Sequence, residues 1–226
     1  MTRALLDSPA ASVTAVELDR RAVAALADLS EAHPGRLAVV AADALKVDAA
    51  ALLPAPRKIV ANLPYNAATP LLVGWLRSAA AFEGMTLMFQ QEVAERICAA
   101  PDTEAYGRLS VLAQWRCRCD FLLRLPPGAF SPPPKVWSAV VGFAPRAEDP
   151  GPALFAAMER LTAAAFGQRR KMLRGSLKAL GGAEALLDAV SIEGTRRAET
   201  LTVAEFDRLA RALLARSSTT PAAPTA

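Results

Sequence analysis

The order of apolar and polar segments predicts an α/β fold, an open sheet followed by a small all-helical C-terminal domain. Three observations carry this. Short apolar runs alternate with helix-period segments from residue 13 to residue 143. Polar residues (Glu17, Asp43 and Asn62) stand just past the first three of those runs. A stretch rich in proline and charge, residues 144–152 (APRAEDPGP), is followed only by helical patterns. Apolar strands alternating with helices indicate a parallel sheet covered on both faces.

Residues 13–16 (VTAV) read as a buried strand, and Asp19 as the N-cap of a helix from Arg20 to about Glu31 with Val23, Leu26 and Leu29 on one face. His33-Pro34-Gly35 ends that helix. Strands follow at 37–40 and 58–61, a helix at 69–79, and a strand at 85–89. Helices at 91–99 and 107–116 precede strands at 121–125 and 136–143, which flank a proline-rich turn. Beyond the linker, helices are expected at 153–166, 169–179, 183–189 and 203–215. The domains are therefore 1–146 and 147–216, with an unstructured Ser/Thr/Pro/Ala tail at 217–226.

Composition removes several function classes. The single histidine, His33, sits in a loop sequence, which excludes a His-dependent triad. The spacing of Cys98, Cys117 and Cys119 suits neither a disulfide framework nor a zinc site, so reduced thiols and no metal are expected. No apolar run reaches the ~18 residues of a membrane span, and Met1–Leu6 is too short for a secretory core. A cytoplasmic protein that makes no membrane contact is expected, and a monomer. The net charge of +4 suits a phosphate-bearing partner.

Residues 62–65 (Asn62, Leu63, Pro64, Tyr65) are the most specific feature. An Asn, a Pro and an aromatic after a buried strand match the needs of amino-group methylation. The N6 lone pair of adenine is delocalised into the ring and is a poor nucleophile. The Asn62 side-chain oxygen and a backbone carbonyl at Leu63 or Pro64 can hold the two N6 hydrogens and aim the lone pair. Such catalysis is mainly positioning and electrostatics, with no strong base. Tyr65 offers a ring face to the base, and Pro64 stiffens the loop.

Residues 62–72 (NLPYNAATPLL) resemble the catalytic loop of the small-subunit (16S) rRNA adenine N6,N6-dimethyltransferase family. Residues 89–97 (FQQEVAERI), 106–112 (YGRLSVL), 130–141 (FSPPPKVWSAVV) and 166–178 (FGQRRKMLRGSLK) resemble its later segments in order. The large-subunit sister family shares the Asn-x-Pro-Tyr core, while the continuation 66–70 is closer to the small-subunit family. The resemblance implies a Rossmann-like sheet that binds S-adenosylmethionine, and a C-terminal domain that binds small-subunit ribosomal RNA. By it, Glu17 receives the cofactor ribose hydroxyls, Asp43 binds the cofactor adenine, and Asn62 lies between cofactor and target. Phe130 is implied to grip the flipped-out base opposite Tyr65; the residues alone allow a core phenylalanine equally well. Arg169, Arg170, Lys171, Arg174 and Lys178 form a basic cluster expected to track RNA phosphates, with Arg170, Arg174 and Lys178 on one helical face. Arg196 and Arg197 either add to it or pair with Glu193 and Glu199.

Family members open with an RNA-contacting arm and a first strand ending in a Gly-rich turn. The resemblance here starts after that turn, and no G-x-G precedes Glu17. The expectation is an N-terminally truncated member in which the strands beginning at Val13 and Lys58 face a gap. Unpaired backbone groups there are costly when buried, so poor stability and weak S-adenosylmethionine binding are expected. Besides small-subunit adenine methylation, two readings stay open: large-subunit adenine methylation, and a non-catalytic RNA-binding or assembly factor.

Overall fold

The computed structural model describes residues 1–219. A short helix α1 (Thr2–Leu6) leads to β1 (Val13–Glu17), α2 (Arg20–Ala32) and β2 (Leu37–Ala41). Asp19 caps α2 as expected, accepting from Arg21 N at 2.8 Å. Gly35 takes a positive φ of 74° in the turn after it, a conformation that glycine adopts without strain. Strand β3 (Lys58–Asn62), helix α3 (Ala68–Arg77), strand β4 (Gly84–Gln90) and helix α4 (Gln91–Cys98) follow. Helix α5 (Arg108–Arg116) runs directly into β5 (Cys117–Leu125), which a turn joins to β6 (Ser138–Pro145). Strand β5 starts four residues before its apolar run, because the polar Cys117–Asp120 segment pairs with Gly142–Pro145.

The sheet is mixed, which corrects the expected parallel arrangement. Strand β1 runs parallel to β2 and β3 parallel to β4, but β6 is antiparallel to both β4 and β5. The β5–β6 connection carries no α-helix to lie across the sheet, and the strand returns antiparallel beside β5. The described strands form two sheets, β1-β2 and β3-β4-β6-β5. Strands β1 and β3 are not bonded to each other, so each presents an open edge, as the sequence led us to expect. The strand 13–17 is half-exposed throughout rather than buried, and α2 buries no residue.

The C-terminal region comprises α6 (Gly151–Gly167), α7 (Leu173–Ser176), α8 (Ala183–Asp188) and α9 (Val203–Thr219). A reciprocal cap opens α9: Glu205 N donates to Thr202 Oγ1, and Thr202 N to Glu205 Oε2. One continuous apolar core runs from Leu63 to Leu213 across the linker. Aromatic contacts tie its parts together. Tyr106 meets Phe166 edge-on at 6.0 Å, and Phe166 stacks on Phe206 at 5.6 Å. Arg116, 1% exposed, donates to the carbonyls of Leu76 and Glu148 and so pins the linker to α3.

The helix expected at 169–179 is broken. Residues 172–174 bond across to 194–197, with Leu173 N donating to Arg196 O at 2.8 Å and Arg174 N to Gly194 O at 3.0 Å. These bonds replace helical ones, so only α7 and a 3₁₀ turn at Leu177–Leu180 remain. Helix α9 extends to Thr219, so the first three residues of the expected tail are helical; residues 220–226 lie outside the described residues. No helix among the described residues is long and apolar enough to cross a membrane.

Candidate active site

The loop after β3 is built from the core outward. Leu63 is 4% exposed and anchors the loop, while Asn62, Pro64, Tyr65 and Asn66 around it are exposed. Ala67 N closes the turn onto Pro64 O at 2.9 Å, leading into α3. Proline is tolerated at Pro70 because it sits in the first turn of α3. The Asn62 amide makes no hydrogen bond among the described residues and is free to accept or donate. Tyr65 is 42% exposed, and its hydroxyl lies 3.2 Å from Ser138 Oγ at the start of β6. Ser138 is fully buried, so it fixes the outer end of an otherwise accessible ring.

Glu17 and Asp43 lie at the same end of the β1-β2 pair, with Glu17 in register with Ala41. Glu17 Oε1 accepts from Leu18 N and Asp19 N at 2.8 and 2.9 Å. Asp43 Oδ1 accepts from Leu45 N at 3.0 Å and caps the 3₁₀ turn Ala44–Lys46. Each carboxylate thus keeps one oxygen without a protein donor among the described residues. Glu17 ends β1 and Asp43 follows β2, at the carboxyl ends where open α/β sheets bind ligands, and Asn62 ends β3 of the second sheet. Phe130 is half-buried and does not pack on the apolar core.

The basic cluster divides. Arg169 donates to the carbonyls of Thr103 and Glu104 at 3.3 and 2.6 Å and lies 3.9 Å from Glu199, so it ties the helical region to the loop after α4. Arg170, Lys171, Arg174 and Lys178 are exposed and have no acidic partner among the described residues. With the helix broken, Arg170 precedes α7, so these cations do not form the single helical face expected. Arg196 pairs with Glu205 at 2.5 Å, not with Glu193 or Glu199. That contact, chiefly a hydrogen bond from Arg196, lowers the Glu205 pKa to about 2. A cleft of about 860 Å³ opens between Thr69 and Pro70 of α3, Arg96 of α4, and Phe166 and Arg169 of the helical region.

Burial raises all three thiols, that of Cys117 to about 12. Protonated thiols are poor nucleophiles and poor metal ligands, and no metal-holding cluster occurs among the described residues. Sequence reading missed Ser138 and the cleft, because both depend on contacts between distant segments.

The geometry can be set beside known proteins. A family model described as ribosomal RNA adenine dimethylase matches residues 1–214. The chain is 65% identical over 215 residues to ribosomal RNA small subunit methyltransferase A of Gluconobacter oxydans, covering 95% of this chain and 71% of that protein. It is 58% identical to the protein of the same name from Paramagnetospirillum magneticum, covering 96% and 77%. A crystal structure of a dimethyladenosine transferase from Plasmodium falciparum shares the fold, with a TM-score of 0.73 at 23% identity over 88% of this chain and 80% of that one. The 23S rRNA methyltransferase ErmE gives 0.66 at 26% identity over 94% and 85%. With its match spanning almost all described residues, and a fold shared with a solved dimethyladenosine transferase, the chain belongs to the ribosomal RNA adenine dimethylase family.

Proposed function

We propose that this chain transfers methyl groups from S-adenosylmethionine to the N6 amine of adenine in small-subunit ribosomal RNA, as a cytoplasmic monomer acting in ribosome maturation. The observation that carries the reading is the exposed Asn62–Tyr65 loop, whose asparagine side chain has no partner among the described residues and whose tyrosine is held by Ser138. The Asn62 oxygen accepts one N6 hydrogen. The Leu63 carbonyl is the better second acceptor, because Pro64 O already receives Ala67 N. Together they turn the N6 lone pair outward while Tyr65 and Phe130 hold the base.

When bound, S-adenosylmethionine supplies an electrophilic methyl group. The free carboxylate oxygens of Glu17 and Asp43 fit its ribose hydroxyls and adenine amine. Residues 1–146 would form the catalytic unit and 147–216 the RNA-binding one. Arg170, Lys171, Arg174 and Lys178 would meet phosphates, with Arg169 holding the two units together. Relatives named for the small subunit, at 65% and 58% identity, weigh against the large-subunit reading.

The test is methyl transfer from labelled S-adenosylmethionine to undermethylated small-subunit particles, alongside particle binding. Label is expected in the RNA. Asn62→Ala should lower the rate by about 10²–10³-fold, on the scale of losing one oriented polar contact at a reacting centre, while particle binding is unchanged. Binding without any transfer by the unaltered chain would favour the assembly-factor reading.

A further inference from the structure

The chain has three tryptophans with two different fates. Trp75 and Trp115 pack against the apolar core, and Trp115 donates its indole N–H to Asp207 at 2.9 Å. Trp137 does neither. It is 48% exposed, does not pack on the core, and its indole N–H has no acceptor among the described residues. A buried tryptophan normally finds a partner for that N–H, and an exposed one forfeits a large apolar burial.

The place of Trp137 narrows what could cover it. It immediately precedes Ser138, whose hydroxyl lies 3.2 Å from that of the exposed Tyr65, so its backbone adjoins the residue that holds the Tyr65 ring. Its backbone is held: Gln91 N, at the start of α4, donates to Trp137 O at 2.9 Å. Val136 beside it is 43% exposed, and Lys135 is exposed with no acidic partner among the described residues. A flat apolar ring on a fixed backbone, flanked by an unpaired cation and next to the target-base loop, matches single-stranded RNA. Bases stack on aromatic faces while lysines take phosphates.

We infer that Trp137 is a stacking platform for an unpaired nucleotide neighbouring the target adenine, and that Lys135 contacts the adjoining phosphate. This rests on the proposed RNA substrate and deepens it. Trp137 is a substrate-positioning residue and takes no part in the chemistry.

The test uses the full chain and a synthetic RNA hairpin whose loop holds unpaired adenines. Affinity is measured for the unaltered chain, Trp137→Ala, Trp137→Phe and Lys135→Ala, with melting curves to confirm folding. Trp137→Ala should bind about tenfold more weakly, and Trp137→Phe within about threefold of the unaltered chain, as expected for one base–aromatic stack. Lys135→Ala should reduce the salt slope of binding by about one. Abasic substitution scanned through the loop should weaken the unaltered chain at one position and leave Trp137→Ala unaffected there. Equal binding by Trp137→Ala, or weakening independent of abasic position, overturns the inference. So does concentration-dependent self-association that Trp137→Ala abolishes, since a second copy would then be the occupant. No RNA binding by the unaltered chain would instead sink the RNA reading, and this inference with it.

Discussion

Residues 1–62 and 63–213 carry equally good patterns and meet different fates. Among the first 62 residues only Leu6 and Leu37 are buried, and neither joins the main core. The later segment supplies every member of that core, from Leu63 to Leu213. Both segments contain apolar strands, capped helices and turn signals. What separates them is cover: β4 is paired on both edges by β3 and β6, whereas β1 is paired only by β2. A well-patterned element is stabilised only as far as its neighbours remove it from water. The candidate site straddles this divide. The proposed base-binding loop crosses the boundary, with exposed Asn62 on one side and buried Leu63 on the other, while Glu17 and Asp43 lie in the exposed half.

Hydrogen exchange should show the divide most strongly. Amides of β4 and β6 are expected to be protected about 10³-fold more than those of β1 and β2, which should open without global unfolding. Equal protection in the two sheets would break the comparison.

Core truncation should follow the same line. Phe206→Ala removes a fully buried ring stacked on Phe166 and is expected to cost about 3–5 kcal/mol. Leu26→Ala, on the half-exposed face of α2, should cost less than about 1 kcal/mol. Chemical denaturation of both variants measures the contrast, and similar losses would show that α2 belongs to the cooperative unit.

The smallest effect is electrostatic. Glu205 has its pKa lowered from 4.5 to about 2, first by the Arg196 hydrogen bond and further by Thr202. A carboxylate whose pKa is depressed on folding stabilises fully above its unfolded value, and that contribution is lost as pH falls through the folded one. Between pH 5 and pH 2 the unaltered chain should therefore lose more stability than Glu205→Gln. Parallel curves over that window would remove Glu205 from the account.

The split between sequence and structure has physical causes. The sequence by itself determined where most strands and helices lie, because period, Asp19 as a cap and His33-Pro34-Gly35 as a stop are local signals. It also pointed to the family, because five ordered segments resemble that family's motifs, and to the Asn62–Tyr65 loop, whose residue types suit an amino target. Tertiary structure alone decided the antiparallel placement of β6. It also decided the break before α7, where pairing of 172–174 with 194–197 displaces helical bonds. It separated Arg169, tied to protein carbonyls, from Arg170, Lys171, Arg174 and Lys178, which are left to solvent. It set Ser138 against Tyr65, 73 positions apart in the chain, and left Trp137 uncovered beside them. These outcomes turn on which distant backbone and side-chain groups satisfy one another, and no local pattern encodes that.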